Sequence, residues 1–204
     1  MADLQCAVRG LFARHAEAEG GPRLAGDDQP LSARGREQAG QLAERLRSDR
    51  VAAVYSSPLL RGRQTAQSVA ASLGAPVTVD DRLIEFTAGS LDLSPDPRDA
   101  QHVTDVFYAW LDGRLDLRVG DGETGREVVA RLSGVLQDVQ DAHRGETVLV
   151  ISHGGLLTLG LTALSASLNP AWVSSRPLGP TDVVDMAYDS AGWVCRTWAG
   201  DVPR

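Results

Sequence analysis

The sequence predicts an α/β fold: a three-layer α/β/α sandwich around a mostly parallel central sheet. Three observations carry this. Short apolar runs alternate with stretches whose apolar residues recur at three- and four-residue spacing, the order that builds a parallel sheet covered by helices. One run, Val148 to Ile151, is continuously apolar, as in a strand buried on both faces. The chain has 204 residues, 43% hydrophobic and 23% charged, which is ordinary globular composition. Residues 1–204 are therefore read as one domain, large enough to bury its core without a disulfide or metal staple.

Taken in order, Ala7 to Ala13 reads as the first strand, and a Gly-, Asp- and Pro-rich loop covers Glu17 to Pro30. Leu31-Ser32 opens a helix with Ala39, Leu42, Ala43 and Leu46 on one face. Val51 to Tyr55 is a second strand. Ser57-Pro58 starts the next helix, with Pro near its first position and Ala66, Val69, Ala70 and Leu73 on its apolar face. Gly74 ends that helix and Pro76 to Val79 is a third strand. Leu83 to Arg98 is irregular. A helix then carries Val103, Val106, Phe107, Trp110 and Leu111. Thr124 to Glu127 is a capping box opening a helix with Val128, Leu132, Val135, Leu136 and Val139. Val148 to Ile151 is the fourth strand, Gly155 to Leu168 a helix, and Val183 to Tyr188 and Trp193 to Trp198 are closing strands.

The net charge of −7 argues against a nucleic-acid or anionic-membrane partner, since either needs a basic face. All 20 basic residues are Arg, which excludes Schiff-base and P-loop lysine chemistry. Cys6 and Cys195 lie far apart, with no C-x-x-C spacing, and read as buried thiols in a reducing cytoplasm. The first ten residues, MADLQCAVRG, hold no signal-peptide run, so a cytoplasmic location is expected. Val148 to Leu168 carries no formal charge and is long enough to span a bilayer. The Ser152-His153-Gly154-Gly155 segment inside it favours a strand followed by a buried helix. Four tryptophans leave room for an apolar homodimer interface.

Two of the four histidines, His15 and His153, stand just after apolar strands. Ligands of open α/β sheets bind outside the carboxyl ends of strands, so both imidazoles reach one crevice if those strands are neighbours. The structural alternative is a hydrogen-bonded histidine at each strand end; His102 and His143 lie in polar helical stretches and are read as structural. Arg14 directly precedes His15. Arg61 and Arg63 lie in the first turns of a helix, where a cation opposes the helix dipole unless an anion binds there. Arg63 fits a solvated face better. Gly154 and Gly155 open another helix and allow a ligand to approach the backbone. Together these residues point to a phosphoryl site. Glu85 follows the third strand: beside phosphate oxygens its carboxyl stays protonated and serves as an acid, while on the surface it forms a salt bridge. Asp80 and Asp81 read as turn residues, and Glu17 and Glu19 as rim residues.

The segments Arg14-His15-Ala16-Glu17, Leu31-Ser32 through Gly35 with Gln38-Ala39, Ser56-Ser57-Pro58-Leu59 with Arg61 and Gln64-Thr65-Ala66, Leu83 with Glu85, Gly122-Glu123-Thr124, and Val150 through Gly154 resemble, in order, the motifs of the histidine phosphatase superfamily with its phosphoglycerate mutase-like fold. The resemblance implies His15 as a nucleophile that becomes phosphohistidine. It implies Arg14, Arg61, His153 and Gly154 as phosphate-binding groups, and Glu85 and His153 among the catalytic groups, Glu85 as the acid. Neither metal nor cofactor is implied, because two arginines supply the charge. Ala16 replaces the signature glycine, Gly21 stands where many members carry Asn, and Gly89-Ser90-Leu91-Asp92-Leu93 replaces the Gly-x-Trp-Glu-Gly run. The chain is also short for the mutase branch. The expected activity is thus a metal-independent phosphomonoesterase acting on a small phosphorylated metabolite. The alternatives are a phosphoglycerate mutase, an inactive phosphate-binding regulatory protein, and a metallohydrolase using His15, Glu17 and His153.

Overall fold

The computed structural model describes residues 7–20, 28–190 and 192–203. Cys6, Gly21 and the 21–27 portion of the loop before Pro30 lie outside them. Six strands form one sheet: β1 (Arg9–Arg14), β2 (Val51–Ser56), β3 (Val77–Val79), β4 (Thr147–Ser152), β5 (Val183–Asp189) and β6 (Gly192–Trp198). Their order is β3-β2-β4-β1-β5-β6. The first four run parallel, while β5 and β6 close one edge antiparallel.

Alternation along the central strands sorts the helices into two layers. Leu11 and Ala13 of β1, with Leu149 and Ile151 of β4, pack on α1 (Ala33–Arg45) and α2 (Leu60–Leu73) through Leu42, Ala43, Ala66 and Val69. Phe12, Val148 and Val150 point the other way. They meet Val128, Leu132, Val135 and Leu136 of α4 (Gly125–Ala142) and Leu156, Leu159 and Leu161 of α5 (Gly154–Leu164). Burying one such aliphatic side chain contributes about 1.5–3 kcal/mol, so both faces are strongly held to the sheet. The α3 helix (Pro97–Leu111) joins the second layer through Val106 and Trp110. The three-layer, mostly parallel α/β architecture is the one the sequence predicts.

Boundaries differ in places for local reasons. The first strand is displaced to Arg9–Arg14 because its partner β4 runs to Ser152. Pro58 does not enter α2: Leu59 is the cap, and Ser57 Oγ accepts the Leu59 N–H. Gly74 does end α2, in the left-handed region at φ 69°. The uncharged stretch after β4 is not one helix to Leu168. Ser165 turns extended and bridges Trp193, and Asn169 caps a short α6 (Pro170–Ser174). Among the described residues no helix is long and apolar enough to cross a membrane. The Thr124–Glu127 capping box forms as predicted. Cys195 is a free buried thiol, and burial pushes its pKa up to about 12.

Candidate active site

The β1–β4 pairing matches Arg14 with Ser152, and the His15 N–H donates to the Ser152 carbonyl at 2.8 Å. His15 and His153 therefore leave adjacent strand ends together, with ring centroids 5.0 Å apart. His15 Nδ1 lies 2.7 Å from the Ala16 carbonyl. A carbonyl only accepts, so that contact assigns the ring hydrogen to Nδ1 and leaves a lone pair on Nε2. Burial, helped by Arg61 and Arg14, pushes the His15 pKa down to about 3. Arg61 Nε donates toward Nε2 across 3.3 Å.

His153 Nε2 lies 2.7 Å from Ser57 Oγ. That oxygen also accepts the Leu59 N–H, and when its own hydrogen is turned to Nε2 the imidazole carries its hydrogen on Nδ1. Nδ1 is buried with no hydrogen-bond partner. Burial, then the neighbouring His15 and arginines, hold the His153 pKa well below its ordinary value. Arg14 matches it: Nη1 donates to the Leu178 carbonyl at 2.6 Å, while Nε is buried and unpaired. Two buried nitrogens of one site thus lack partners, Arg14 Nε–H as a donor and His153 Nδ1 as a donor when it carries the ring hydrogen, and an oxyanion would satisfy both.

Both helix N-termini near the site are occupied by the chain's own carboxylates. Asp28 accepts the Leu60 N–H at the start of α2. Glu85 Oε2 accepts the Gly155 N–H at 2.9 Å, and its Oε1 accepts those of Leu156 at 2.7 Å and Phe86 at 2.9 Å. Of the helix amides expected to meet a phosphate, those of Gly155 and Leu156 are therefore taken by Glu85. A side chain at Gly155 would meet Phe86 at 2.5 Å and Glu85 at 2.8 Å, so that glycine is required by the carboxylate packed on it. Gly154 lies beside the Arg14 guanidinium. Burial raises the Glu85 pKa, against the three amides and Arg131, which lower it. Glu85 is thus no surface salt-bridge residue.

The remaining motif residues hold the histidine loop. Ser32 caps α1 by accepting the Gly35 N–H, and its hydroxyl donates to Glu17. Gln38 accepts the Glu17 N–H, Gln64 the Leu31 N–H, and Thr65 the Ala16 N–H. Glu17 is therefore committed to the start of α1 and does not converge with His15 and His153. Among the described residues no three His, Cys, Asp or Glu side chains gather as a metal site. Arg63 and His102 are exposed. His143 is the C-cap of α4, between Tyr55 and Glu146.

Arg131 escaped the sequence reading, having no motif to mark it. It pairs with Glu123 at 2.8 Å and donates to the carbonyls of Arg82 and Ile84 at 2.6 and 2.7 Å. Glu123 in turn accepts the Thr87 N–H. Glu85 thus sits on a segment clamped on both sides. A cavity of about 490 Å³ opens over Arg14, His15, Glu85 and Gly154, and is walled beyond them by Phe86, Phe107 and neighbouring apolar residues.

Known proteins resemble the chain in sequence and in fold. The chain is 32% identical to "Probable phosphoglycerate mutase GpmB" of Salmonella arizonae, over 93% of this chain and 91% of that one. Its structure resembles a mycobacterial glucosyl-3-phosphoglycerate phosphatase with a TM-score of 0.80 at 25% identity, covering 96% and 100% of the two chains. It resembles YhfR of Bacillus stearothermophilus with a TM-score of 0.79 at 26% identity, covering 96% and 98%. The model of the histidine phosphatase superfamily, branch 1, matches residues 11–201. With that match spanning both histidines, both site arginines and Glu85, the chain belongs to branch 1 of the histidine phosphatase superfamily.

Proposed function

We propose that the protein is a phosphomonoesterase that passes the phosphoryl group of a small phosphorylated metabolite to His15 and then to water. The observation that carries this is the His15 ring: Nδ1 is anchored on Ala16 O, and the unprotonated Nε2 faces a site where Arg14 Nε and His153 Nδ1 lack partners. In the first step Nε2 attacks phosphorus, the P–O bond to the alcohol breaks, and Glu85 gives the departing oxygen a proton. Arg14, Arg61 and the Nδ1–H of His153 take the phosphoryl oxygens, the Arg61 contact to Nε2 giving way. In the second step water attacks, its proton returns to Glu85, and the P–N bond breaks. These side chains supply the charge that a metal ion provides elsewhere.

The test is to stop turnover in alkali and look for an acid-labile phosphoramidate on the protein. It is expected on the wild type and absent from His15→Ala; an adduct that survives this substitution overturns the assignment. The name of the curated relatives favours a second reading, phosphoglycerate mutase. It predicts rapid isomerisation of 3-phosphoglycerate, dependent on 2,3-bisphosphoglycerate, with negligible release of phosphate.

A further inference from the structure

The phosphoryl end accounts for only part of the cavity. Phe86 follows Glu85 directly and stacks on Phe107, with centroids 5.6 Å apart and planes 13° from parallel. Trp110 braces Phe86 edge-on at 5.3 Å, so the ring is held rather than free to rotate away. Val103, Phe107 and Leu111 recur at four-residue spacing and form one stripe of α3 along the cavity, while Val106 and Trp110 turn into the core. Leu91 and Leu178 continue the lining.

The charges lining the cavity are as telling. Arg14 is the one cationic side chain among the described residues that line it, and it lies at the phosphoryl end. Away from that end the acidic side chain among the described lining residues is Asp92, with the Tyr108 phenol also in the wall. Its oxygens accept the Ala88 N–H and the Thr87 hydroxyl, both at 2.7 Å, which fixes a carboxylate in the wall. A second anionic group on the substrate would lose its water to face apolar side chains, the hydroxyls of Ser94, Thr104, Tyr108, Thr158 and Ser174, and a like charge, with no second cation among the described lining residues.

We infer that the alcohol portion of the substrate is uncharged and largely apolar, an aryl or extended alkyl group seated on the Phe86–Phe107 wall, and that Asp92 selects against phosphorylated acids. The inference rests on the phosphomonoesterase reading of the same site and adds the substrate class to it.

Straight-chain alkyl phosphates from ethyl to hexyl test it, because the leaving oxygen is chemically alike throughout and only the buried tail grows. For the wild-type protein kcat/KM is expected to rise by up to about fourfold per buried methylene, mostly through KM. 3-Phosphoglycerate is expected at least tenfold below hexyl phosphate. Phe107→Ala should flatten the series, and Asp92→Asn should narrow the gap to 3-phosphoglycerate. A flat wild-type series, or 3-phosphoglycerate outrunning hexyl phosphate, overturns the inference and leaves the phosphomonoesterase reading in place. Calorimetric binding separates the two claims. If the wild type hydrolyses none of the esters yet binds hexyl phosphate more tightly than ethyl phosphate, the phosphomonoesterase reading falls and the pocket assignment holds. Equal binding of the two with no hydrolysis overturns both.

Discussion

Replacing Arg131 with methionine keeps most of the side-chain volume and removes a guanidinium that four acceptor atoms share. Glu123 loses both of its Arg131 contacts, and the carbonyls of Arg82 and Ile84 lose their side-chain donor. The pair is mostly enclosed, with side chains 14% and 19% exposed. Removing one partner of a buried pair typically costs about 3–5 kcal/mol. Each carbonyl left dry adds about 1–3 kcal/mol, but water entering beside the partly exposed pair offsets some of it. A net loss of about 3–5 kcal/mol follows, or roughly 10 °C in Tm for a chain of this length. The catalytic consequence is separate. Glu85 lies between Ile84, whose carbonyl Arg131 holds, and Thr87, whose N–H Glu123 accepts. Freeing that segment by about 1 Å costs on the order of 10²-fold where the reaction needs the acid in place. The assay is Tm by calorimetry together with kcat on hexyl phosphate and on 4-nitrophenyl phosphate, using Glu85→Gln as the reference. Both variants should damage the alkyl ester far more than the aryl ester, whose phenolate leaves without a proton. Arg131→Lys should recover little, since one ammonium cannot span a carboxylate and two carbonyls. A Tm loss with equal damage to both esters would refute the positioning role and leave Arg131 as a purely structural brace.

Two further outcomes follow from the geometry. Gly35→Ala would place its Cβ 2.0 Å from the Glu17 carbonyl oxygen, so it should cost about 1–3 kcal/mol in a denaturant titration, and a neutral result would contradict the close approach of α1 to the histidine loop. Stability should fall as pH drops from about 6.5 toward 3, because folded His15, with its pKa near 3, refuses a proton that the unfolded chain accepts. His15 alone accounts for about 2 kcal/mol between pH 6.5 and 5, and His153 adds to it in the same direction. Glu85 has the opposite sign: its raised pKa favours the folded state at acid pH, a contribution lost as pH rises through the folded value. Denaturant unfolding at pH 6.5 and 5 reads the slope, and an unchanged slope in His15→Ala would contradict the burial of a neutral ring.

What was legible in the sequence is what local periodicity and chain order determine. The alternation of Leu11, Phe12 and Ala13 across β1 and the helical spacing in α1, α2 and α4 place the layers, because burial enforces the pattern residue by residue. His15 and His153 were legible because strand ends in such sheets face the ligand crevice. Contacts between residues distant in sequence were not. Nothing local in Glu85 announces that it caps a helix 70 positions later, and nothing in Asp28 announces that it caps α2. Arg131 is one of 20 arginines, and only the tertiary meeting of α4 with the 82–87 segment distinguishes it. The break of the uncharged stretch at Ser165 was hidden for the same reason: it depends on a bridge to Trp193 across the sheet edge.

The capping of α5 by Glu85 bears on how a carboxyl group can work beside a phosphate. The positive end of a helix attracts either anion, and here the chain's own carboxylate holds the Gly155 and Leu156 amides. On the proposed reaction the phosphoryl group falls to side-chain donors: the guanidinium of Arg14, the His153 ring and the Arg61 side chain opposite His15. Glu85 feels two opposed forces, three amides that favour its charge and burial that disfavours it, and burial dominates. A phosphate dianion entering the cavity adds a third force with the same sign as burial. On the proposed reaction the carboxyl therefore gains its proton most readily when substrate is bound, which is when a departing alcohol requires it. Oε1 already accepts two N–H groups and Oε2 only one, so Oε2 has the lone pair free to carry that proton. The amides fix the orientation of the carboxyl without consuming the position from which it donates. On the proposed reaction, that division of labour lets an acid buried on a helix terminus, where the amides favour ionisation, still protonate a leaving group.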